Sequence, residues 1–449
     1  MGLFLQEILS KCNQYLTFYL VFPGIVLLGI YLTLRLRVVQ FSKFKLGLRY
    51  LFKKEEGAEG NITHYEAVSS VLASNFGTGN ISGMGVALAV GGPGACIWMW
   101  VMTFFGMAIQ YSNCLLGVKY RKKDANNEYV GGAMYYLSSG LGLKKLAGLF
   151  AVCVIVASFS CGGFAQVNSI ALPLQSLGVP GLVTGLVLAL FVGIVVIGGA
   201  HRVAVVSSKV VPAMAILYFV SALIILALHF DQVGAAFVIM FKSAFGARQA
   251  AAGVFGFALM RSLTTGFDRA IFATDAGTGT VPVLQSGAKT THPVIDGAVS
   301  LVSPVVVMLV CTTTALVLIV TGAFADPALK STNMVISAFQ HGLTQKSGLI
   351  IVLVSLVLFG YTTTLAWASC LQRAVGYLFG VKYVKAFQWL YIVLVPAGAL
   401  MHVDVAWILA DIALTSMLVI NLIGVAGLSK EVIVDSQEFS EKLPELATS

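Results

Sequence analysis

The chain has 449 residues, of which 58% are hydrophobic and only 10% are charged. This composition excludes a soluble globular domain and predicts an all-α integral membrane protein with many spans of about 20 residues each. The formal net charge is +9, but the basic residues fall in short loops between apolar runs, so they indicate membrane orientation and not nucleic-acid binding.

Other polar residue types exclude several kinds of site. The seven cysteines are scattered, mostly within apolar segments, and include no CxxC pair, so we expect neither a disulfide framework nor a cysteine metal site. The six histidines lack the His-x-x-x-His spacing of a zinc helix. The N-terminus lacks a basic start and a small-residue cleavage site, so the sequence predicts no signal peptide. We expect no bound cofactor.

Apolar runs predict eleven membrane spans. A basic amphipathic stretch after the first span, which includes Arg35, Lys45 and Lys54, is expected to lie along the membrane surface. A short surface helix is predicted at 131–142, and the residues after 430 are predicted to form a polar, flexible cytoplasmic tail. The predicted spans are 15–36, 65–89, 93–118, 146–173, 180–200, 204–229, 250–283, 295–323, 347–377, 383–402 and 404–427.

The loops differ strongly in charge. Most lysines and arginines fall in one set of alternate loops, which the positive-inside rule makes cytoplasmic. The sequence therefore predicts an outer N-terminus and a cytoplasmic C-terminus in the cell (inner) membrane. The other set of loops receives only Lys11, Lys242, Arg248, Lys330 and Lys346.

The stretch from Ser74 to Gly83, SNFGTGNISG, lies inside the second span. Glycine costs about 1 kcal/mol relative to alanine in a helix interior, and unpaired backbone groups cost several kcal/mol each in hydrocarbon. Such a break is tolerated only where it is buried in protein or lines a cavity. We therefore predict an unwound point at residues 77–80. Close helix packing is the simpler alternative for these glycines.

A second copy of the Gly-Thr-Gly motif occurs at 277–279, in the seventh span. Five spans separate the copies, so the second lies in a unit of opposite membrane orientation. Two inverted five-helix repeats that each open with a broken helix are typical of secondary transporters. The predicted organisation is a first helix with its basic connection (1–64), two inverted repeats (65–230 and 231–429) and a polar tail (430–449).

Several motifs together resemble the alanine/glycine:cation symporters, also called sodium:alanine symporters. They are Asn75–Gly83 with Gly91–Ala95, Gly117–Arg121, Gly131–Tyr136, Lys289–Val294, and Ala410-Asp411 with Asn421. The resemblance covers about residues 65–429. It implies a fold similar to the bacterial sodium:leucine symporter, small neutral amino acids as cargo, and coupling to sodium or protons.

Three positions depart from the usual pattern of that family. Thr274-Asp275-Ala276-Gly277 replaces Asn-Glu-Ala-Gly, Val306 stands where an aspartate is frequent, and Ile420 replaces a proline. Because acidic residues bear on ion coupling, these departures leave both sodium and proton coupling open.

An amino-acid substrate needs partners for both of its charged groups. Free N–H groups at a half-helix N-terminus suit a carboxylate, and this favours Gly77, Thr78 and Gly79. The resemblance implies that the carbonyl of Phe272 and the amide of Gln166 line the same pocket, and that Trp367 limits the size of the cargo. Packing roles are the alternatives for all of these. The predicted substrate residues are Gly77, Thr78, Gly79, Gln166, Phe272, Gly277 and Trp367.

Sodium prefers oxygen ligands. By analogy with the fold, the carbonyls of Ala73 and Phe76 and the hydroxyls of Thr363 and Thr364 would hold one ion, whereas Thr362 is expected to bond to its own helix. An acid within a span costs about 2.5–3.5 kcal/mol on insertion scales, so function is the default interpretation. The predicted cation residues are Ala73, Phe76, Asn80, Asp275, Thr363 and Thr364.

Asp411, Asp268 and Arg269 are further charged residues within the predicted spans. Asp411 is expected to be a structural partner within the bundle. Asp268 and Arg269 are expected in the cytoplasm-facing part of the seventh span or as a local pair, without an assigned role.

The sequence thus predicts a symporter for alanine, glycine or similar amino acids that needs only a monomer in the bilayer. A transporter with other cargo or with proton coupling is the first alternative. A channel is disfavoured because two broken helices lie in one chain, and a membrane enzyme because no catalytic constellation stands out.

Overall fold

The computed structural model describes residues 2–53, 57–245 and 255–446. These residues form helices joined by turns and one two-stranded hairpin. Within them, seven helical stretches are long and apolar enough to cross a bilayer, so the all-α membrane architecture is confirmed. They are Lys11–Arg35, Ala95–Lys119, Lys144–Ser176, Gly199–Leu228, Pro293–Val320, Gln345–Phe379 and Val405–Gly427.

The N-terminal half of the chain contains thirteen of the described helices. A wider π-type turn at Thr17–Val21 joins the first two into one stretch, and a second at Ser158–Phe164 joins α9 to α10. The helices are α1 (Gly2–Leu16), α2 (Phe22–Arg35), α3 (Val39–Ser42), α4 (Phe44–Phe52), α5 (His64–Asn75), α6 (Ser82–Gly91), α7 (Ala95–Lys119), α8 (Ala133–Tyr135), α9 (Lys144–Ala157), α10 (Ala165–Ser176), α11 (Gly181–Val196), α12 (Gly199–Leu228) and α13 (Phe230–Ala244).

The C-terminal half contains the remaining nine described helices. They are α14 (Phe255–Thr274), α15 (Val281–Gln285), α16 (Pro293–Ser300), α17 (Val302–Val320), α18 (Ser331–Gly342), α19 (Gln345–Phe379), α20 (Val384–Leu394), α21 (Val403–Gly427) and α22 (Ser429–Leu446). The start predicted for the seventh span, residue 250, lies outside the described residues.

Besides the C-terminal helix α22, two helices were not predicted from the sequence. Helices α13 and α18 occupy stretches that were assigned to loops. Both are short and only partly buried, with Met240 and Ala244 buried in α13, and Met334 and Phe339 in α18. Their apolar runs are too short to cross a bilayer, so the hydropathy pattern of a membrane span does not reveal them.

The segment between the third and fourth spans differs from the prediction of a surface helix. The hairpin strands β1 (Lys122–Lys123) and β2 (Tyr129–Val130) precede a helical segment made of α8 and a π-type turn at Tyr136–Gly140. Met134, Tyr136 and Leu137 in this segment are fully buried. The prediction of a surface location was therefore wrong, because this helical segment inserts against α21, where Gly424 leaves room for the Tyr136 ring.

The prediction of a flexible C-terminal tail was also wrong for the described residues. Helix α22 buries Val432, Ile433 and Phe439. Lys119 at the end of α7 forms ion pairs of 3.1 Å with Glu431 and 2.8 Å with Asp435. The acidic residues that suggested a solvated tail therefore face a basic helix end, where the helix dipole also favours the lysine.

Candidate functional site

The first predicted interruption is confirmed. Helix α5 begins with a capping box, in which Thr63 and Glu66 each accept a backbone N–H of the other, and it ends at Asn75. One 3₁₀ turn at Thr78–Asn80 follows before α6 resumes at Ser82, and Gly77 between them is extended. Residues 73–85 are all buried. The break therefore lies inside the protein, as unpaired backbone in a membrane requires.

The second predicted interruption is confirmed as well. Helix α14 ends at Thr274 and α15 begins at Val281, with six buried residues between them. Gly277 and Gly279 have φ values of +85°, which glycine adopts without penalty. Asp275 also has a positive φ, of +51°. A left-handed aspartate costs roughly 1–2 kcal/mol and is a form of strain that clusters at functional sites.

The two interruptions contact each other directly. Ser74 Oγ donates to Asp275 Oδ2 at 2.8 Å, and Asn75 Nδ2 donates to the carbonyl of Thr274 at 2.8 Å. The Phe272 ring packs on Gly79, where a Cβ would lie only 2.5 Å from it. The glycine thus provides close packing as well as unwinding, and both interpretations of the motif are correct at this position.

Gln166 lies against the first unwound segment. Its Oε1 accepts from the Thr78 backbone N–H at 2.9 Å and from the Thr78 hydroxyl at 3.0 Å, while its Nε2 donates to the carbonyl of Cys161. The expectation that the Thr78 N–H is free was therefore wrong in this conformation. Within the described part of the chain, the N–H groups of Gly77 and Gly79 have no hydrogen-bond partner.

The oxygen ligands predicted for sodium come together only in part. Thr363 in α19 reaches the first break, where its hydroxyl donates to the carbonyl of Ala73 at 2.8 Å. Thr364 instead donates to Gly360 one turn earlier in its own helix, as Thr362 does to Leu358. Phe76 stacks on Phe359 with ring centroids 5.7 Å apart. The bond expected of Thr362 is thus confirmed, and Thr364 makes a bond of the same kind.

Asn80 closes the first unwound segment on itself. Its Nδ2 donates to the carbonyl of Asn75 at 2.6 Å, and its Oδ1 accepts from the Cys311 thiol at 3.0 Å. These contacts use both ends of the amide. In this conformation Asn80 therefore supports the shape of the segment.

Trp367 and Asp275 are two buried side chains of the predicted site whose polar groups are incompletely partnered. Trp367 is fully buried in α19 and packs against Gly162, and its Nε1 has no hydrogen-bond partner within the described residues. Asp275 is 1% exposed and accepts from Ser74, but no described lysine, arginine or histidine forms an ion pair with it. A buried carboxylate without a counter-charge suits a bound cation or a proton.

The model of the sodium:alanine symporter family matches residues 2–448. The chain belongs to this family. The sodium/alanine symporter AgcS of Methanococcus maripaludis is 37% identical to this symporter over 422 residues, which cover 92% of each chain. An uncharacterized transporter of Haemophilus influenzae is 40% identical over 427 residues, 94% of each chain. A probable sodium/glutamine symporter of Bacillus subtilis, GlnT, is 29% identical over 446 residues, 98% of this chain and 91% of its own.

Family membership makes the chain a transporter and not an enzyme. The relatives that are named for a cargo differ in that cargo, since one name specifies alanine and another glutamine. Family membership alone therefore does not identify the substrate of this symporter, which depends on the residues of its own binding site.

A cavity of about 580 Å³ opens between α1, α6, α14 and α21 of the symporter, lined by Asn13, Lys330, Arg269 and Asp411 among others. Arg269 Nη2 lies 2.5 Å from Asp411 Oδ2, and Asp268 accepts from Thr17 Oγ1 at 2.7 Å. The expectation of a local Asp268–Arg269 pair was wrong, because Arg269 pairs across to α21. Asp268 and Arg269 line the same cavity as Lys330, so the predicted topology, which puts Lys330 outside, would place both residues toward the outside and not toward the cytoplasm.

An aromatic layer separates this cavity from the first unwound segment. The rings of Phe272 and Trp407 have centroids 4.7 Å apart, and the Arg269 guanidinium lies 5.6 Å and 5.0 Å from those centroids. Because Phe272 also packs on Gly79, the layer covers the site on the cavity side.

On the side away from this cavity, hydrogen bonds to backbone carbonyls connect the segments that flank the two breaks. Arg121 Nη1 donates to the carbonyls of Ser286 and Ala288, at 3.2 Å and 2.9 Å, and its Nη2 donates to Glu59. A backbone bridge joins Ile62 to Ala288. These bonds fasten the segment after α15 to the residues that precede α5, so the site is covered on this side too.

Sequence reasoning missed four side chains that hold the breaks together: Ser74, Asn75, Tyr136 and Asn421. Three of them lie within the family motifs, but no role could be assigned without knowing which carbonyls they reach. Their polarity in apolar surroundings was the available signal, since buried polar side chains must find hydrogen-bond partners.

Proposed function

We propose that this protein is a symporter of small neutral amino acids, alanine and glycine, driven by the sodium gradient through alternating access. The observation that carries the proposal is the contact of two unwound helices around Asp275, a buried carboxylate without a described ion-pair partner. Unpaired backbone N–H groups and one acidic group offer partners for a zwitterion and a cation. The family and the name of the relative AgcS support the same function.

The proposed architecture has eleven spans, with two inverted five-helix repeats at residues 65–230 and 231–429. Support comes from the two broken helices, which lie at matching places in the two halves and pack on each other. In transporters of this construction the site lies at the repeat interface near the middle of the bilayer. A monomer contains both broken helices and suffices for the proposed mechanism.

The proposed substrate site joins the free N–H groups of Gly77 and Gly79 to the Phe272 carbonyl, with Gln166 and Gly277 beside it. The N–H groups would receive the amino-acid carboxylate, and the Phe272 carbonyl and Asp275 would attract its ammonium group. Thr78 would join once Gln166 releases it. Trp367, a rigid buried indole, would limit the substrate side chain to the size of glycine or alanine.

The proposed sodium site uses the carbonyls of Ala73 and Phe76 and the hydroxyl of Thr363. Its support is the 2.8 Å bond between Thr363 and Ala73, which already brings two of these oxygens together. Thr364 would contribute after rotating away from Gly360, and Asn80 supports the loop beside it. Because the ligands come from α5 and α19, ion binding would favour the conformation in which these helices meet.

Proton coupling is the second candidate, and Asp275 is the observation that favours it. A buried acid between the two breaks could carry a proton across in place of sodium.

Uptake of radiolabelled alanine into proteoliposomes tests the function. We expect accumulation with an inward sodium gradient and none when sodium is equal on both sides. Protein-free liposomes are the control. Absence of alanine and glycine uptake under both ion gradients would refute the proposed cargo. Alanine uptake driven by an inward proton gradient without sodium would favour proton coupling, the second candidate.

The proposed orientation in the inner membrane places the N-terminus outside and the C-terminus in the cytoplasm. Single accessible cysteines at Asn126 and Lys330, in a background where the exposed Cys12 and the half-buried Cys153 are replaced by serine, test it in intact cells. An impermeant thiol reagent should label position 330 and spare position 126. The reverse labelling pattern would refute this orientation.

A further inference from the structure

One carbonyl of the second unwound segment is held by a residue from the last long helix. Asn421 in α21 is fully buried, and its Nδ2 donates to the carbonyl of Gly277 at 2.7 Å. The neighbouring helix thus replaces a hydrogen bond that unwinding removes from this carbonyl. Without a donor, the carbonyl would be unsatisfied in a dry part of the membrane protein.

A second bond fixes the orientation of the Asn421 amide. The Tyr136 hydroxyl, which is also fully buried, donates to Asn421 Oδ1. The Gly277 carbonyl can only accept, so Nδ2 must face it and Oδ1 must face Tyr136. The segment containing Tyr136 therefore supports the second break indirectly through the amide.

Asn421 also touches the unwound segment at a second place. A Cβ added at Gly279 would lie 3.1 Å from the Asn421 amide carbon and 3.0 Å from the ring of Phe150. Gly279 has a left-handed φ, so the backbone there is constrained by conformation and by both neighbours. Asn421 thus holds the segment at Gly277 by a hydrogen bond and at Gly279 by contact.

We propose that Asn421, oriented by Tyr136, is a positioning residue for amino-acid binding at the second unwound segment. It acts through Gly277, without touching the substrate, by holding residues 277–279 in the shape that places Asp275 beside the first break. The inference rests on the proposed function in one respect, namely that the bound molecule is a small amino acid.

Asn421→Leu tests the bond, because leucine keeps a similar volume but donates nothing. Tyr136→Phe is the milder variant and leaves Asn421 in place. The matched control is Asn168→Leu, since Asn168 is an equally buried amide whose Nδ2 donates to the carbonyls of Gly398 and Met401, away from both breaks.

Hydrogen exchange of the peptide that covers residues 274–285, measured on purified full-length protein without substrate, reports positioning directly. We expect exchange about tenfold faster in Asn421→Leu and Tyr136→Phe and unchanged in Asn168→Leu. Equal exchange in all three variants and the wild type would overturn the proposal. If Asn421→Leu fails to fold, Tyr136→Phe decides the result alone.

Alanine uptake then separates positioning from a merely structural role. The KM for alanine should rise at least about tenfold in Asn421→Leu or Tyr136→Phe, at matched amounts of folded protein, and stay unchanged in Asn168→Leu. Faster exchange with an unchanged KM would reduce Asn421 to a structural residue and overturn the proposal. If the wild type does not transport alanine, the proposed cargo is refuted, and the KM comparison is made with glycine, or with the amino acid that the wild type does transport, to decide on positioning.

Discussion

The hydroxyl of Ser74 lies 2.8 Å from Oδ2 of Asp275, although 201 residues separate the two in the chain. Ser74 is the last residue but one of α5, and Asp275 directly follows the last residue of α14. The bond therefore ties the end of one broken helix to the start of the other break. Any movement that separates the two broken helices must exchange this bond for another partner of the carboxylate.

Ser74→Ala should weaken cation activation of transport. A hydrogen bond to a charged group contributes about 1.5–3 kcal/mol, so its loss should alter the charge balance at Asp275 measurably. We expect the sodium concentration for half-maximal alanine uptake to change by about tenfold. Ser70→Ala is the matched control, because the Ser70 hydroxyl bonds only to the Glu66 carbonyl in its own helix. Equal sodium dependence in both variants would contradict the expectation.

Trp367 should limit the size of the cargo. Trp367→Ala removes a fully buried indole and should admit leucine-sized amino acids, but truncation of a buried tryptophan costs about 3–5 kcal/mol. Trp367→Phe is therefore made alongside it, as a smaller change in volume. Competition of unlabelled amino acids with alanine uptake measures the selectivity. A folded variant with the wild-type selectivity profile would place Trp367 outside the pocket.

Loss of either member of the Arg269–Asp411 ion pair should destabilise the folded protein. Removal of one member of a fully buried ion pair typically costs about 3–5 kcal/mol because the other charge remains buried. The loss should be smaller here, because the Arg269 and Asp411 side chains are 8% and 15% exposed and line the cavity. Arg269→Gln and Asp411→Asn should each lower the melting temperature of the purified protein, and the double variant should recover part of the loss. Additive losses in the double variant would show that the two side chains are independent.

The sequence was sufficient to predict the two interruptions, because glycines in a long apolar run conflict with helix formation in a membrane. It could not identify the bonds that stabilise them. Asn75 reaches Thr274 and Asn421 reaches Gly277, and both contacts depend on how distant helices pack. Thr364 was predicted as a sodium ligand, but its hydroxyl bonds to the Gly360 carbonyl in its own helix. The position of a hydroxyl in the sequence therefore does not reveal which acceptor it uses.

Residues near the ends of the spans were harder to predict for a different reason. Composition distinguishes apolar spans from polar loops, but it does not reveal whether a polar segment has a surface to pack on. Helix α22 is acidic and was taken for a flexible tail, yet Lys119 and the Tyr111 hydroxyl provide partners for it. Tertiary contacts therefore decided the structure of this segment.

Phe439 should hold helix α22 on the rest of the protein. Its ring packs at a tilt against the His292 ring, with centroids 4.7 Å apart, and Lys43 Nζ lies 5.5 Å from its centroid. Phe439→Ala should lower the melting temperature by several degrees and speed proteolysis near residue 430. Val434→Ala is the control, because Val434 is largely exposed on the same helix. Identical protease sensitivity in the two variants would contradict an anchoring role.

The final prediction distinguishes sodium coupling from proton coupling. Thr363→Val keeps the side-chain shape but removes the oxygen that lies 2.8 Å from the Ala73 carbonyl. It should weaken sodium activation far more than it lowers expression, whereas Thr362→Val, a change in a residue bonded to its own helix, should have little effect. Asp275→Asn removes the charge but keeps the volume.

Alanine uptake is measured for each variant against sodium concentration at fixed pH, and then against pH without sodium. Sodium coupling predicts that Thr363→Val shifts the sodium curve and that no variant takes up alanine on a proton gradient alone. Uptake driven by an inward proton gradient without sodium, abolished by Asp275→Asn and unaffected by Thr363→Val, would establish the proton as the coupling ion. The experiment separates the two coupling ions because sodium binding would depend on the Thr363 hydroxyl, whereas proton coupling would depend on the Asp275 carboxylate.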